Sequence, residues 1–216
     1  ASSKLRLGDL GKKRKLRVYK KNPSENLFEL FQSTNTDFLL VYFSGHGQQD
    51  LKETKIAIND TESISISQLI SIIQSPKALI IIDSCRKIID EDYSRFSGSE
   101  YLSFKSLLDQ PNTRDRYMQL ISESDTGIAI AYACSVGENS GDTELGGFYT
   151  YSLLKESLQW HENQNNEGVL TIGDANNLAH HELKFKTNFQ QNPQIRTPIS
   201  QTEELNLPFA IKTSSL

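Results

Sequence analysis

Phe38-Leu39-Leu40-Val41-Tyr42-Phe43-Ser44-Gly45-His46-Gly47 is an unbroken apolar run that ends on a glycine-flanked histidine. A second run, Ala78-Leu79-Ile80-Ile81-Ile82-Asp83-Ser84-Cys85, ends on an acid, a hydroxyl and a thiol. Both are short, rich in β-branched or aromatic residues and bounded by turn formers, the pattern of a parallel strand buried on both faces. Two such strands in one sheet deliver an imidazole and a thiol to the same carboxyl edge. In open α/β sheets that edge is where ligands bind. A thiol and an imidazole meeting there are the minimum equipment for covalent attack on a carbonyl.

Outward from these runs, strands are predicted at Leu16–Lys20, Lys55–Ile58, Ile128–Ala133 and Leu207–Ile211. Between them, Ser24 is placed to cap a helix carrying Leu27, Leu30 and Phe31 on one face. A further helix runs from Ser67 to Ile73 and is closed by Pro76. Tyr149–Trp160 carries Leu153, Leu154, Leu158 and Trp160 at helical spacing, and Asp174 caps a last helix reaching about Lys186. Strands alternating with helices imply βαβ units and a mainly parallel sheet. The connection from Arg86 to Thr126 is polar and long, with weak helical patches around Leu107 and Met118. A connection of that length between core strands is usually functional or disordered.

The 216 residues suffice for one well-packed domain. A net charge of -4 gives no footprint for nucleic acid, and the basic stretch from Lys4 to Lys21 reads as a solvated terminus. No apolar segment approaches the ~20 residues that span a bilayer, and the opening residues form no secretory signal. Two cysteines, Cys85 and Cys134, are too few for a disulfide scaffold and fit a reducing, cytoplasmic setting. The expected organisation is a basic segment at 1–15, a catalytic domain over 16–212 and a short tail at 213–216.

A free thiol has a pKa near ~8.5, so at neutral pH it needs a base to become a nucleophile. His46 can take that proton and later return it to a leaving amine. Gly45 and Gly47 permit tight turns and leave amide N–H groups accessible, so Gly47 and Cys85 could donate to a developing oxyanion. Cys134 ends an apolar run and reads as a packed thiol. His161, His180 and His181 lie on polar helical stretches and receive no role.

Tyr42-Phe43-Ser44-Gly45-His46-Gly47, followed 39 positions after the histidine by Asp83-Ser84-Cys85, resembles the caspase-like cysteine peptidases. Bacterial caspase homologues and metacaspases, in the clan that also holds gingipains and legumains, are the nearest in pattern. The resemblance continues through Ile130-Ala131-Tyr132-Ala133-Cys134-Ser135-Val136-Gly137-Glu138-Asn139-Ser140, Gly146-Gly147-Phe148-Tyr149-Thr150-Tyr151-Ser152-Leu153-Leu154, Gln191-Asn192-Pro193-Gln194 and Leu207-Pro208-Phe209. It implies a three-layer α/β/α caspase-like fold with a mainly parallel central sheet, a His46–Cys85 dyad, and the amides of Gly47 and Cys85 as oxyanion donors. Aspartate-cleaving caspases carry Gln two positions before the nucleophile and a second pocket Arg on a later segment. The matching places here are Asp83 and Asp142, and metacaspases are similar in having that Asp and a Ser at the place of Ser44. Two carboxylates in a partly buried pocket favour a guanidinium or ammonium and repel an acid. Cleavage after Arg or Lys is therefore expected, of a protein or peptide substrate. The alternative is that Asp83 caps a local turn and Asp142 is a surface loop residue.

The family usually has a glycine two or three residues past the nucleophile, where this chain has Arg86-Lys87-Ile88. Its internal first strand also has no counterpart in residues 1–15, so that strand is expected from an upstream part of the polypeptide, which could also hold a sensor domain. The 86–126 connection lies where relatives are cut into subunits and offers Arg86, Lys87, Arg95, Lys105, Arg114 and Arg116 for autoprocessing of a zymogen. Some metacaspases use Ca²⁺; Asp90-Glu91-Asp92 matches no calcium loop, and no cofactor is expected. Two other readings stand beside the peptidase. One is a catalytically silent caspase-like binding module; the other, a nucleotide-binding domain, fails because Gly45-His46-Gly47 has neither the Walker nor the Rossmann spacing.

Overall fold

Strand β5 (Lys77–Asp83) is buried at every position, as an apolar run must be when both faces of its sheet are covered. In the computed structural model, which describes residues 36–50, 52–58, 62–86, 113–143, 146–163, 165–200 and 205–212, β1 (Leu39–Ser44) and β6 (Gly127–Tyr132) flank it in parallel. Strand β10 (Gln194–Ser200) joins β6 antiparallel, giving the order β1-β5-β6-β10. Among the described residues β5 is the strand partner of β1.

The period of two along these strands sorts side chains between the two layers. Ala78, Ile80, Ile82, Ile128 and Ile130 face α1 (Ile66–Ile72) and the small antiparallel sheet of β2 (Gly47–Gln49), β3 (Thr54–Ala57) and β4 (Ser63–Ser65), packing with Ile56, Ile64, Leu69 and Ile72. Leu79, Ile81, Ala129 and Ala131 face α3 (Phe148–Glu162) and α4 (Ile172–Lys186), packing with Tyr149, Leu153, Ile172, Ala179 and Leu183. Each large aliphatic side chain so buried contributes roughly 1.5–3 kcal/mol. Layers of helix, sheet and helix around a mainly parallel sheet are the caspase-like α/β fold expected from the sequence.

Local chemistry sets the element ends. Ser65 opens α1 through a capping box, its hydroxyl accepting from the Gln68 N–H at 3.1 Å while the Gln68 side chain takes the Ser65 N–H at 3.0 Å. Helix α4 is capped by Thr171 rather than Asp174. Both are good N-caps three residues apart, but Thr171 accepts from the Asp174 N–H, and the Asp174 carboxylate turns back to accept from the Thr171 hydroxyl at 2.7 Å. Helix α2 (Thr113–Glu123) occupies the end of the long polar connection, and the Lys77 ammonium donates to the Ile121 and Ser122 carbonyls at its C-terminus at 2.5 and 2.8 Å.

The strands that periodicity did not show are polar, short or broken by proline. Strand β10 contains Pro198 and shifts register between Arg196 and Ile199, which an edge strand tolerates. The run predicted at Leu207–Ile211 is β11 (Pro208–Lys212), and it pairs with β9 (Gly168–Thr171) outside the main sheet. The strand predicted at Leu16–Lys20, the helix capped by Ser24 and the acidic Asp90-Glu91-Asp92 lie outside the described residues.

Candidate active site

Strands β1 and β5 end level with each other, Ser44 opposite Asp83. Beyond that pair the Gly45 N–H donates to the Asp83 carbonyl at 3.2 Å, so the turn carrying His46 is hooked to the segment leading to Cys85. The next glycine packs on the same segment from its other side. A Cβ on Gly47 would lie 2.4 Å from the Ser84 hydroxyl and 2.7 Å from the Cys85 carbonyl. Both neighbours of His46 therefore touch residues 83–85, and only a glycine fits at 47. His46 is exposed and Cys85 half-buried. The Ala57 N–H donates to the His46 carbonyl at 2.9 Å. In an antiparallel ladder that makes Gly47–Ile56 the non-bonded pair and turns the Gly47 N–H away from β3.

Gly47→Ala is expected to displace the backbone of Ser84 and Cys85 and, if the Gly47 N–H serves as an oxyanion donor, to lower kcat/KM about 10²-fold or more. A steady-state assay beside a thermal melt checks this. Ser84, whose buried hydroxyl has no hydrogen-bond partner among the described residues, has the opposite expectation. Ser84→Ala removes an unsatisfied buried group and leaves the thermal midpoint unchanged or higher.

The Cys85 sulfur rests on the loop after β6. It accepts from the Ser140 N–H at 3.3 Å and donates to the Ser140 carbonyl at 3.6 Å. The same residue's hydroxyl donates to an Asp83 carboxylate oxygen at 2.9 Å. The other oxygen accepts from the Thr150 N–H at 2.8 Å and the Thr150 hydroxyl at 2.5 Å. The partners of Asp83 lie on the post-β6 loop and on α3, so it is not the cap of a local turn. Burial pushes its carboxyl well above the usual range; the Thr150 and Ser140 bonds pull it back, and the nearby Asp142 charge raises it again. Asp142 opens β7 (Asp142–Thr143), is exposed, and pairs with Gly147 of β8 (Gly146–Gly147). A Cβ on Gly147 would lie 2.2 Å from the Asp83 carboxylate. The Asp142 charge acts on both Asp83 and Tyr42, whose hydroxyl is bonded by the Thr150 and Ser44 side chains. Burial raises that phenol's pKa, with the charges of Asp83 and Asp142 adding to it.

Arg86 departs from the reading that offered it for autoprocessing. It is 6 % exposed, and its guanidinium donates to the Thr54 hydroxyl at 3.0 Å, the Cys134 carbonyl at 3.1 Å and the Gln194 side chain at 3.2 Å. Its face lies 4.0 Å above the Tyr132 ring. Its backbone exchanges hydrogen bonds at 3.0 Å with Glu138 and Gly137. Burial lowers its pKa, yet a guanidinium keeps its proton there. Arg114 and Arg116 lie within α2, and Lys87, Arg95 and Lys105 fall outside the described residues.

Two more residues, to which the sequence reading gave no individual role, hold the loop after β6. Gln191, 2 % exposed, donates to the Ala133 carbonyl at 3.0 Å and to the Ser140 hydroxyl at 3.3 Å, and accepts from the Gly141 N–H at 3.0 Å. Glu138 accepts from Asn192 and from the Ser135 N–H, while His180 steadies Asn192 at 3.2 Å. Cys134 is fully buried, and burial followed by the Cys85 charge pushes its thiol up to about 12, which keeps it a packing group. Among the described residues no group of three His, Cys, Asp or Glu could hold a metal ion, and no helix is long and apolar enough to cross a membrane.

Comparison with known proteins assigns the chain to a family. Residues 15–202 match the family model described as a caspase domain. Among solved structures the chain is similar to caspase-1 from Spodoptera frugiperda, at 17 % identity and TM-score 0.53 over 94 % of this chain and 77 % of that one. It also matches a protein from Geobacter sulfurreducens, at 14 % identity and TM-score 0.49 over 87 % of this chain and 76 % of that one. No curated protein matches the sequence.

Proposed function

The chain belongs to the caspase-domain family of cysteine peptidases, and on that premise we propose that it is an endopeptidase cleaving after Arg or Lys, with Cys85 as nucleophile and His46 as its base. The observation that carries this reading is the hooking of the His46 turn onto residues 83–85 at one sheet edge. His46 takes the Cys85 proton, and the thiolate forms a C–S bond to the scissile carbonyl carbon. The oxyanion accepts from the N–H groups of Gly47 and Cys85. On collapse the C–N bond breaks and His46 protonates the leaving amine. Water, deprotonated by His46, then releases the acid and regenerates the thiol.

Asp83, Asp142 and Ser44 line the primary pocket in this reading, with Tyr42 and Thr150 beside them. A cationic side chain gains charge-assisted hydrogen bonds there, whereas an acidic one meets two carboxylates. A fluorogenic panel with Arg, Lys and Asp at the cleaved position tests it. The expected result is a preference for Arg and Lys over Asp of about 10³-fold or more, since like charge opposed in a binding site costs several kcal/mol. Turnover of the Asp substrate at a comparable rate would refute the pocket assignment. Acidification gives a second check. Asp83 carries its charge above its raised pKa and loses it below, with Asp142, Tyr42 and Tyr149 the titratable neighbours. The Arg preference over a neutral side chain therefore declines on acidification sooner than an ordinary aspartate would cause, as parallel pH profiles of the two substrates will show.

The seating of the Cys85 sulfur against the Ser140 backbone favours a second reading, a silent caspase-like binding module. An irreversible peptidyl-arginine warhead separates the two by labelling, or failing to label, Cys85. Autoprocessing in the 86–126 connection and a reducing, cytoplasmic setting belong to the same proposal. Fragments that appear in purified wild-type protein and not in Cys85→Ala would support the former.

A further inference from the structure

One residue bridges the sulfur and the pocket. Ser140 makes both backbone contacts to Cys85 Sγ, at 3.3 and 3.6 Å, and its hydroxyl bonds Asp83 at 2.9 Å. The residue is itself clamped from behind by Gln191, which reaches the Ser140 hydroxyl at 3.3 Å and holds Gly141 and Ala133 on either side of the loop. One residue thus carries the contacts to both the sulfur and Asp83.

We propose that Ser140 is a positioning residue that couples occupancy of the primary pocket to the reactivity of Cys85, so that a basic side chain at the cleaved position both binds and readies the nucleophile. The inference rests on the basic-pocket reading above. Asp83 already accepts from three protein donors, and a carboxylate has about four acceptor sites. A guanidinium that enters beside Asp142 competes with the Ser140 hydroxyl for Asp83. Giving up that bond moves the Ser140 backbone, and with it the N–H and carbonyl that hold the sulfur. The pocket's charge reaches the thiol by this mechanical route as well as through space. The selectivity for basic residues then resides in kcat as well as in KM, since the interaction is completed only when the pocket is filled.

The test measures alkylation of Cys85 by iodoacetamide, followed by mass spectrometry of the Cys85 peptide, with agmatine as a small guanidinium probe. It uses the wild type, Ser140→Ala, Ser140→Thr and Asp83→Asn, with agmatine binding read independently by thermal shift. In the wild type agmatine is expected to speed alkylation about three- to tenfold, the scale of one hydrogen bond. In Ser140→Ala the acceleration should fall below half of that, and Ser140→Thr, which keeps the hydroxyl, should restore it. A field acting through space, or a steric shield, would act equally in wild type and Ser140→Ala. Equal modulation in both, or none in a wild type that binds agmatine, overturns the coupling and leaves the basic pocket standing. Absence of agmatine binding to the wild type overturns the basic pocket and the coupling together. For peptides with Arg at the cleaved position, Ser140→Ala, which already lacks that bond, should keep kcat within about twofold of wild type, whereas peptides with a neutral residue there should gain kcat by about the same three- to tenfold.

Discussion

Cys85→Ala is expected to abolish peptide hydrolysis, a loss of about 10⁴-fold or more, and His46→Ala to lower kcat by roughly 10²–10⁴-fold. Neither substitution moves the thermal midpoint by more than a degree or two, because His46 is exposed and Cys85 is half-buried at a turn. The double variant is no worse than Cys85→Ala alone, since residues that act as a unit are strongly non-additive. Steady-state kinetics on an arginine peptide, with a thermal melt of each variant, measures all of this. Equal activity in Cys85→Ala and wild type would show that another group does the chemistry. Cys134 is the only other thiol in the chain, and its burial removes it from reach.

Arg86→Ala has the largest expected effect on stability. It deletes donors to Thr54, the Cys134 carbonyl and Gln194 and uncovers the face of Tyr132. Leaving buried acceptors unpaired costs about 1–3 kcal/mol each, and the lost stacking adds to it. A net loss of about 3 kcal/mol lowers the thermal midpoint by roughly 6–12 °C in a domain of this size. Activity falls with it, because Arg86 follows the nucleophile directly and joins β3, the post-β6 loop and β10. Arg86→Lys fails to rescue, since an ammonium cannot supply the same planar fork of donors or lie flat on the ring. A midpoint within 2 °C of wild type would contradict this account of the residue.

Arg86 also shows where sequence reading stops. An arginine at the head of a long polar connection reads as solvated, and nothing in its neighbours reveals acceptors contributed by Thr54, Cys134 and Gln194. The contacts of Ser140, which is half-buried, and of Gln191, which is buried, are hidden for the same reason: each is a polar residue in a polar stretch, tied to partners distant in the chain. The central strands are different. The runs ending at Ile82 and Ala133 are apolar without interruption and are covered on both faces, whereas the run ending at Phe43 forms β1, half-buried and, among the described residues, at the edge of the sheet; the bounds of all three fall within a residue or so of expectation. The convergence of the two turns follows from the same pattern, because strands in parallel bring their ends to one side. Strand β10 is not legible that way, since an edge strand with Pro198 and an exposed Ile199 carries no burial signal. The proposed acidic pocket lies between these extremes. Asp83 announces itself by its place before Cys85, but its ties to Ser140 and Thr150 do not.

The most direct measurement is labelling by two irreversible peptidyl warheads that differ only in Arg or Asp at the position next to the electrophile, read by intact mass and peptide mapping. One adduct, on Cys85, formed with the arginine reagent far faster than with the aspartate reagent and slowed in His46→Ala, is the predicted outcome. No adduct on Cys85 from either reagent, or equal rates in wild type and His46→Ala, would contradict the account.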